Sequence, residues 1–148
     1  MKLWVCGMAV SMAVGAMALT PDTMMCELLA KPGLVAVTDP TPEFSWGFKD
    51  ARPGDFQSAY QIQVASGTTF FKTDQPDLWD SGKVASSQSL YVPYAGKDLP
   101  TDAEVCWRVR VWDSRGKEGP WSHTYSFKTA PVLSGDSALQ YPLAQERV

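Results

Sequence analysis

Apolar and polar residues alternate in short runs along most of this chain. Beyond the first 18 residues, no stretch of about three helical turns has helical apolar spacing without a proline or glycine inside it. Period two dominates instead, which is typical of strands with one buried face. The predicted strands are 24–29, 44–48, 60–65, 89–94, 105–112 and 125–128. Glycine- and proline-containing turns separate them, so the pattern predicts an antiparallel β-sandwich.

The run VCWRVRVWD at 105–113 alternates most clearly. One face carries Val105, Trp107, Val109 and Val111, and the other carries Cys106, Arg108, Arg110 and Trp112. The first face is predicted to enter the core, and the second to be wet or stacked. In the same way, 44–48 and 60–65 each place three large apolar side chains on one face of a strand.

The two ends of the chain differ from this central part. Residues 1–18 contain Lys2, an apolar run at 3–14 and Ala-Met-Ala at 16–18, which predicts a secretory signal peptide. The run is too short for a spanning helix, so we expect export to the periplasm, cell surface or exterior, with no membrane span after cleavage. Residues 19–130 are predicted to form one domain. Residues 131–148 lack periodicity and are expected to be a linker or the start of a following domain.

Charge and cysteine content narrow the possible partners. The chain has 13 basic and 16 acidic residues and a net charge of -3, with no basic cluster, which argues against nucleic acid as a partner. Outside the predicted signal peptide, Cys26 and Cys106 are the only cysteines. Cys106 falls on the arginine face, which disfavours a bridge through the core centre and favours two separate thiols. The sequence leaves the pairing open.

The stretch DLWDSGKVASSQS at 77–89 holds a pair of carboxylates, Asp77 and Asp80. An acid and base pair needs surroundings that separate the two pKa values, and no cleft is indicated here. Asp80 and Gly82 instead predict a turn, with the carboxylate accepting backbone N–H groups and the glycine at positive φ. Trp79 is expected to fold over the edge of the sandwich.

Two further groups of residues are candidates for a catalytic or a metal site. Asp113, Ser114 and His123 have the side chains of a nucleophilic triad, but the serine lies in a hairpin turn without a strand-to-helix elbow. His123 is the single histidine, and no cysteine pair has metal-ligand spacing. We therefore predict no catalytic, metal-binding or cofactor-binding residue in this chain.

Arg108, Arg110, Trp112 and Trp121 form the candidate stacking or interface group. Guanidinium groups stack favourably on indole rings, so these side chains would either stiffen the sandwich or present an aromatic platform. A platform would receive a sugar ring or, as we prefer, a neighbouring domain. Tyr91 is a further interface candidate near a sheet edge.

Four segments, in this order, resemble the N-terminal fibronectin type III-like module of bacterial alpha-L-rhamnosidases. They are MMCELLAKPGLVAVTDPTPEFSWGF, SAYQIQVAS, DLWDSGKVASSQS and CWRVRVWDSRGKEGPWS. The resemblance covers residues 20–130 and implies an immunoglobulin/fibronectin type III-like sandwich of about seven strands. In that family, terminal alpha-linked L-rhamnose is cleaved with inversion by two carboxylates of a downstream (α/α)6 barrel.

That barrel is absent from this chain, so no catalytic residue is transferred to it by the resemblance. The expected function is that of a non-catalytic N-terminal module of a secreted alpha-L-rhamnosidase-like glycoside hydrolase, packed against downstream domains of the same polypeptide. The alternative is a complete small exported module that binds carbohydrate or protein.

Overall fold

Two antiparallel sheets make up the fold. The computed structural model describes residues 18–30, 35–49 and 51–131. Within them the elements are β1 Thr20–Cys26, β2 Glu43–Lys49, β3 Ala59–Ala65, α1 Thr69–Lys72, β4 Trp79–Asp80, β5 Val92–Pro93, β6 Glu104–Trp112 and β7 Tyr125–Lys128. The strand orders are β1-β2-β5 and β4-β3-β6-β7. The predicted all-β, antiparallel sandwich of about seven strands is confirmed.

The core lies between the sheets and is centred on Phe44 of β2. Its ring centroid is 4.5 Å from that of Trp107 on β6 and 6.1 Å from that of Phe127 on β7, so aromatic rings of both sheets interdigitate. Trp46, two residues along β2, is also buried. Its Nε1 donates to Gln57 Oε1 at 3.0 Å, which satisfies an indole N–H that has lost contact with water.

Two predicted strands have different bounds in the structure. The first begins at Thr20 and ends at Cys26, because Glu27 and Leu28 adopt φ of 52° and 58°, outside the extended region. The strand expected at 89–94 shrinks to Val92–Pro93. Tyr91 has φ of 56°, which breaks the extended backbone just before it.

One open side of the sandwich, between the edge strands β4 and β5, is covered by Trp79 at the start of β4. Its ring lies 6.5 Å from that of Phe44 and 5.3 Å from that of Tyr94. Tyr94 is buried, and its hydroxyl donates to Lys97 O at 2.6 Å. A Cβ on Gly96 would lie 2.5 Å from both Trp79 Cβ and Tyr94 Oη, so only glycine allows this approach.

Cys26 and Cys106 are both buried free thiols. Cys26 belongs to the core between the sheets, whereas Cys106 lies on the outer face of β6 beside Ala65 and Phe71. Burial, with the charge of Glu27, raises the pKa of the Cys26 thiol to about 12. Buried thiols of this kind are chemically inert.

The predicted signal peptide and most of the predicted linker lie outside the described residues, at 1–17 and 132–148. Both therefore remain predictions. Among the residues that the structure does describe, no helix is long and apolar enough to cross a membrane.

Candidate functional site

The outer face of the four-stranded sheet brings together most of the predicted site residues. In the antiparallel register of β3 and β6, Gln61 pairs with Arg110 and Gln63 pairs with Arg108. Side chains at paired positions project from the same face of the sheet, so glutamines and arginines meet there. All seven residues of β3 are buried. Period two is typical of strands with one buried face, but in β3 the alternation of 60–65 marks two covered faces.

Cations and aromatic rings alternate along this face in one continuous row, which we term the arginine–tryptophan stack. Its members, in order, are Phe71, Arg108, Trp121, Arg110, Trp112 and Lys83. The successive distances from cation to ring centroid are 4.7, 4.2, 4.5, 5.3 and 4.7 Å. Every distance is within the range of a cation–π contact. The stack covers β3 and β6 and connects α1 to the hairpin after β6.

Two buried amides hold the arginines from below. Gln63 Oε1 accepts from Arg108 Nε at 2.9 Å and Nη2 at 2.7 Å, and Gln61 Oε1 accepts from Arg110 Nε at 2.9 Å. The amide nitrogens of Gln61 and Gln63 donate to the two oxygens of Asp80 at 2.7 and 2.9 Å. Because each amide has one donating and one accepting end, Asp80 fixes both amides with their oxygens toward the arginines.

Acidic side chains complete the outer contacts of the arginines. Arg108 Nη2 lies 2.8 Å from Asp74 Oδ1, and Arg110 Nη1 pairs with Glu118. The two arginine side chains are only 12% and 22% exposed. Burial lowers the pKa of Arg108, and the charge of Asp74 opposes that change. Among the described residues, no buried side-chain nitrogen or oxygen lacks a hydrogen-bond partner, so the stack leaves no polar group waiting for a ligand.

The structure places the remaining candidate residues differently. Trp112 is 6% exposed, so it does not form an open aromatic platform. Trp121 is partly exposed, with both arginine guanidinium groups over its ring. Tyr91 lies away from this face, next to β5 of the other sheet, and is 50% exposed. Its backbone N–H donates to Ser45 Oγ at 3.0 Å. The geometry thus favours stiffening of the sandwich over an open platform.

The carboxylates of the 77–82 loop serve the fold. Gly82, at φ of 61°, donates its N–H to Asp80 Oδ1 at 2.8 Å, and Asp77 accepts from Ser66 N and Oγ. Burial raises the pKa of each carboxyl, but hydrogen bonds lower it further, so both pKa values end below the ordinary range. A glycosidase general acid needs a raised pKa, so neither group has the electrostatics for that role.

Of the three candidate triad residues, Asp113 is engaged by its own turn, and Ser114 and His123 are exposed. Asp113 Oδ1 accepts the backbone N–H groups of Arg115 and Lys117, and these bonds lower the pKa of the carboxyl. His123 is exposed at the surface. Among the described residues, no three histidine, cysteine, aspartate or glutamate side chains are grouped to hold a metal ion.

Sequence reasoning missed six of the residues that build this face. Gln61, Gln63, Phe71, Asp74, Lys83 and Glu118 all contact the predicted arginines or tryptophans. The period of two on β3 was a usable signal for the glutamines, because it placed both on the face opposite the core. The others come from loops and from α1, where no pattern indicates a contact.

Comparisons with known proteins point to a single group of enzymes. An alpha-L-rhamnosidase of Streptomyces avermitilis is 48% identical over 81 residues, covering 55% of this chain and 8% of the relative. An alpha-L-rhamnosidase of Formosa agariphila is 40% identical over 101 residues, which cover 68% of this chain and 11% of the relative. The chain therefore spans about a tenth of the length of these relatives.

Solved structures agree in fold and in extent. The alpha-L-rhamnosidase of Streptomyces avermitilis, crystallised with L-rhamnose, superposes with a TM-score of 0.70 at 39% identity, over 76% of this chain and 11% of that one. The alpha-L-rhamnosidase of Dictyoglumus thermophilum superposes with a TM-score of 0.69 at 34% identity, over 75% of this chain and 12% of that one. Residues 21–132 match the family model described as the Rha78A-like, N-terminal immunoglobulin domain. The chain belongs to this family of N-terminal immunoglobulin domains.

Proposed function

We propose that this chain is the non-catalytic N-terminal β-sandwich of an exported alpha-L-rhamnosidase-like glycoside hydrolase, and that it packs against and supports downstream domains of the same polypeptide. The observation that carries the proposal is the extent of the matches, about a tenth of each relative and confined to a domain described as N-terminal. The export signal predicted at residues 1–18 supports an exported enzyme.

The structure supports a non-catalytic role through the state of its carboxylates. An inverting glycosidase needs one carboxyl group with a raised pKa and a second group across a sugar and a water. Asp77 and Asp80 have lowered pKa values and are occupied by Ser66, Gln61 and Gln63. In the proposed protein, bond cleavage belongs to the downstream domains, and the sandwich contributes stability.

The test is expression of the whole polypeptide to which this chain is proposed to belong, next to two shorter proteins. We expect hydrolysis of an aryl alpha-L-rhamnoside by the whole polypeptide and none by residues 19–148. A third protein, the whole polypeptide without residues 19–131, should melt at a lower temperature. Turnover by residues 19–148 that disappears in the Asp80→Asn variant would overturn the proposal, as would a reading frame without rhamnosidase activity.

A second candidate function, a small exported module that binds carbohydrate or protein, is favoured by one feature. Phe56, Leu90 and Tyr91 are exposed large apolar side chains, and Gln57 and Gln88 hydrogen-bond within the loops that carry them. Aromatic side chains of this kind stack on sugar rings. Affinity electrophoresis of residues 19–148 in gels containing rhamnose-rich polysaccharide tests it. Retardation that is lost in Tyr91→Ala would favour this function.

A further inference from the structure

A groove opens at the end of the sandwich where the described chain stops. Three segments line it, 37–40, 98–101 and 129–131, and it encloses about 550 Å³. The segments come from the approach to β2, the loop before β6 and the residues after β7. This groove is separate from the arginine–tryptophan stack, which covers the outer face of the four-stranded sheet.

The floor of the groove is held by backbone pairing. Val37 N donates to Lys128 O at 2.8 Å, and Ala130 N donates to Val37 O at 2.9 Å. Thr129 is buried, and its hydroxyl donates to Pro100 O at 2.6 Å and accepts from Ala103 N at 3.0 Å. These contacts tie the three segments together, so the groove is formed before anything binds, which lowers the cost of binding.

The lining defines the chemistry of an occupant. Apolar groups of Val37, Pro40, Leu99 and Pro131 face the groove, whereas the acidic residues in its lining are Asp39 and Asp98. No lysine or arginine is among the described residues that line it. A matching surface therefore inserts apolar side chains and places a basic side chain beside the two carboxylates.

The position of the groove identifies the occupant. Pro131 is both part of the lining and the last described residue, and 17 more residues follow it in the chain. A domain attached there is held near the groove at a high effective concentration, so even a modest apolar contact is populated. We propose that this groove is the docking surface for the domain that follows in the same polypeptide. The inference rests on the proposed function and adds where the contact is made.

The exposed group at Phe56, Leu90 and Tyr91 is a competing surface. It lies on loops flanking β2 and β5, and none of its three side chains lines the groove at 37–40, 98–101 and 129–131. The chain does not leave the sandwich there, so the attached domain gains no advantage of proximity. The groove is therefore the favoured contact.

Thiol labelling distinguishes the surfaces, because Cys26 and Cys106 are buried and silent. Single cysteines are introduced at exposed positions: Thr101→Cys in the groove, Ser87→Cys in the competing loop, and Ser114→Cys in the hairpin at the far end of β6. Each is placed both in residues 19–148 and in the whole polypeptide. Alkylation by a maleimide is followed at each site by peptide mass spectrometry.

We expect labelling of the Thr101→Cys site to be about tenfold or more slower in the whole polypeptide, with Ser87→Cys and Ser114→Cys unchanged. Pro40→Asp, at an exposed lining position, should restore the Thr101→Cys rate in the whole polypeptide, whereas Pro40→Ala should not. If Ser87→Cys or Ser114→Cys is protected and Thr101→Cys is not, docking at the groove is wrong, but the proposed packing against a following domain stands. If none of the three sites is protected, both docking at the groove and the proposed packing function are wrong.

Discussion

The two faces of β6 are both covered, but by different interactions. The core face, with Trp107 at its centre, is buried by aromatic and aliphatic side chains of the opposite sheet. The outer face, with Arg108 and Arg110, is covered by stacked rings and hydrogen-bonded amides. Apolar packing depends on volume and tolerates rearrangement, whereas a buried polar layer depends on every partner being present. Substitutions on the two faces should therefore destabilise the domain in different ways.

The largest effect is expected from Trp107→Ala on the core face. Trp107 is 1% exposed, so truncation removes buried surface and leaves a cavity, costing about 3–5 kcal/mol of unfolding free energy. Urea denaturation of residues 19–148 measures it. Tyr91→Ala, at an exposed position, is the control and should change stability by about 0.5 kcal/mol or less. Equal losses in the two variants would place Trp107 outside the core.

Gln63→Leu tests the polar layer in the same assay. Gln63 is fully buried, and leucine has nearly its size but cannot accept from Arg108 or donate to Asp80. Because Arg108 then lacks its buried acceptor, the free energy of unfolding should fall by about 2–4 kcal/mol. In the double variant with Arg108→Leu, part of the loss should return, because both polar partners are then gone. A neutral Gln63→Leu would mean that water, and not Gln63, holds the arginine.

Trp112→Ala compares the two faces directly. We expect the free energy of unfolding to fall by about 2–3 kcal/mol, which is less than for Trp107→Ala. Lys83 and Arg110 lie over the Trp112 ring, so their side chains are able to move into the vacated space or reach water. Urea denaturation provides the value. A loss equal to that of Trp107→Ala would show that the outer face packs as tightly as the core.

Among the substitutions at contact-forming residues, Asp80→Asn should have the smallest effect on the unfolding free energy, about 1 kcal/mol at neutral pH, because the carboxylate is exposed while accepting from two amides. Asparagine presents one oxygen and one donor, so it opposes one of those amides. The folded pKa of Asp80 is lowered, so its stabilisation is present above the unfolded carboxyl pKa and is lost as pH falls through the folded value. The difference in unfolding free energy between the wild type and Asp80→Asn should therefore disappear at acid pH.

Asp77→Asn is the matched control for that experiment. Its carboxylate lies in the same loop and also has a lowered pKa, but its partner is Ser66. Both variants should share the acid dependence, while only Asp80→Asn shifts the Nε–H resonances of Arg108 and Arg110. An unchanged arginine spectrum in Asp80→Asn would show that Asp80 does not orient the glutamines.

The sequence carried enough information for the sandwich. Large apolar residues at period two, such as Phe44 and Trp46 on β2, define one face of a strand without reference to any distant residue. The same pattern placed Trp107 correctly in the core and Arg108 on the opposite face. It also failed where the backbone turns locally, as at Tyr91, whose positive φ is not visible in the alternation.

The closed outer face and the groove could not be predicted from the sequence, because both depend on contacts between residues that are far apart in the chain. Gln63 and Arg108 are 45 residues apart, and their contact depends on the register of β3 against β6. Phe71 reaches the stack from a helix of one turn, which no period predicts. The groove joins three separate loops, so its apolar residues form no pattern along the chain.

The most direct test of the account is a titration of ¹⁵N-labelled residues 19–148 with rhamnose-containing oligosaccharide, followed at the indole N–H resonances of Trp112 and Trp121. Because the arginine–tryptophan stack is a closed structural layer, neither indole resonance should move. A saturable shift of both indoles, abolished by Trp121→Ala in a variant that remains folded, would contradict it and make the outer face a sugar-binding platform.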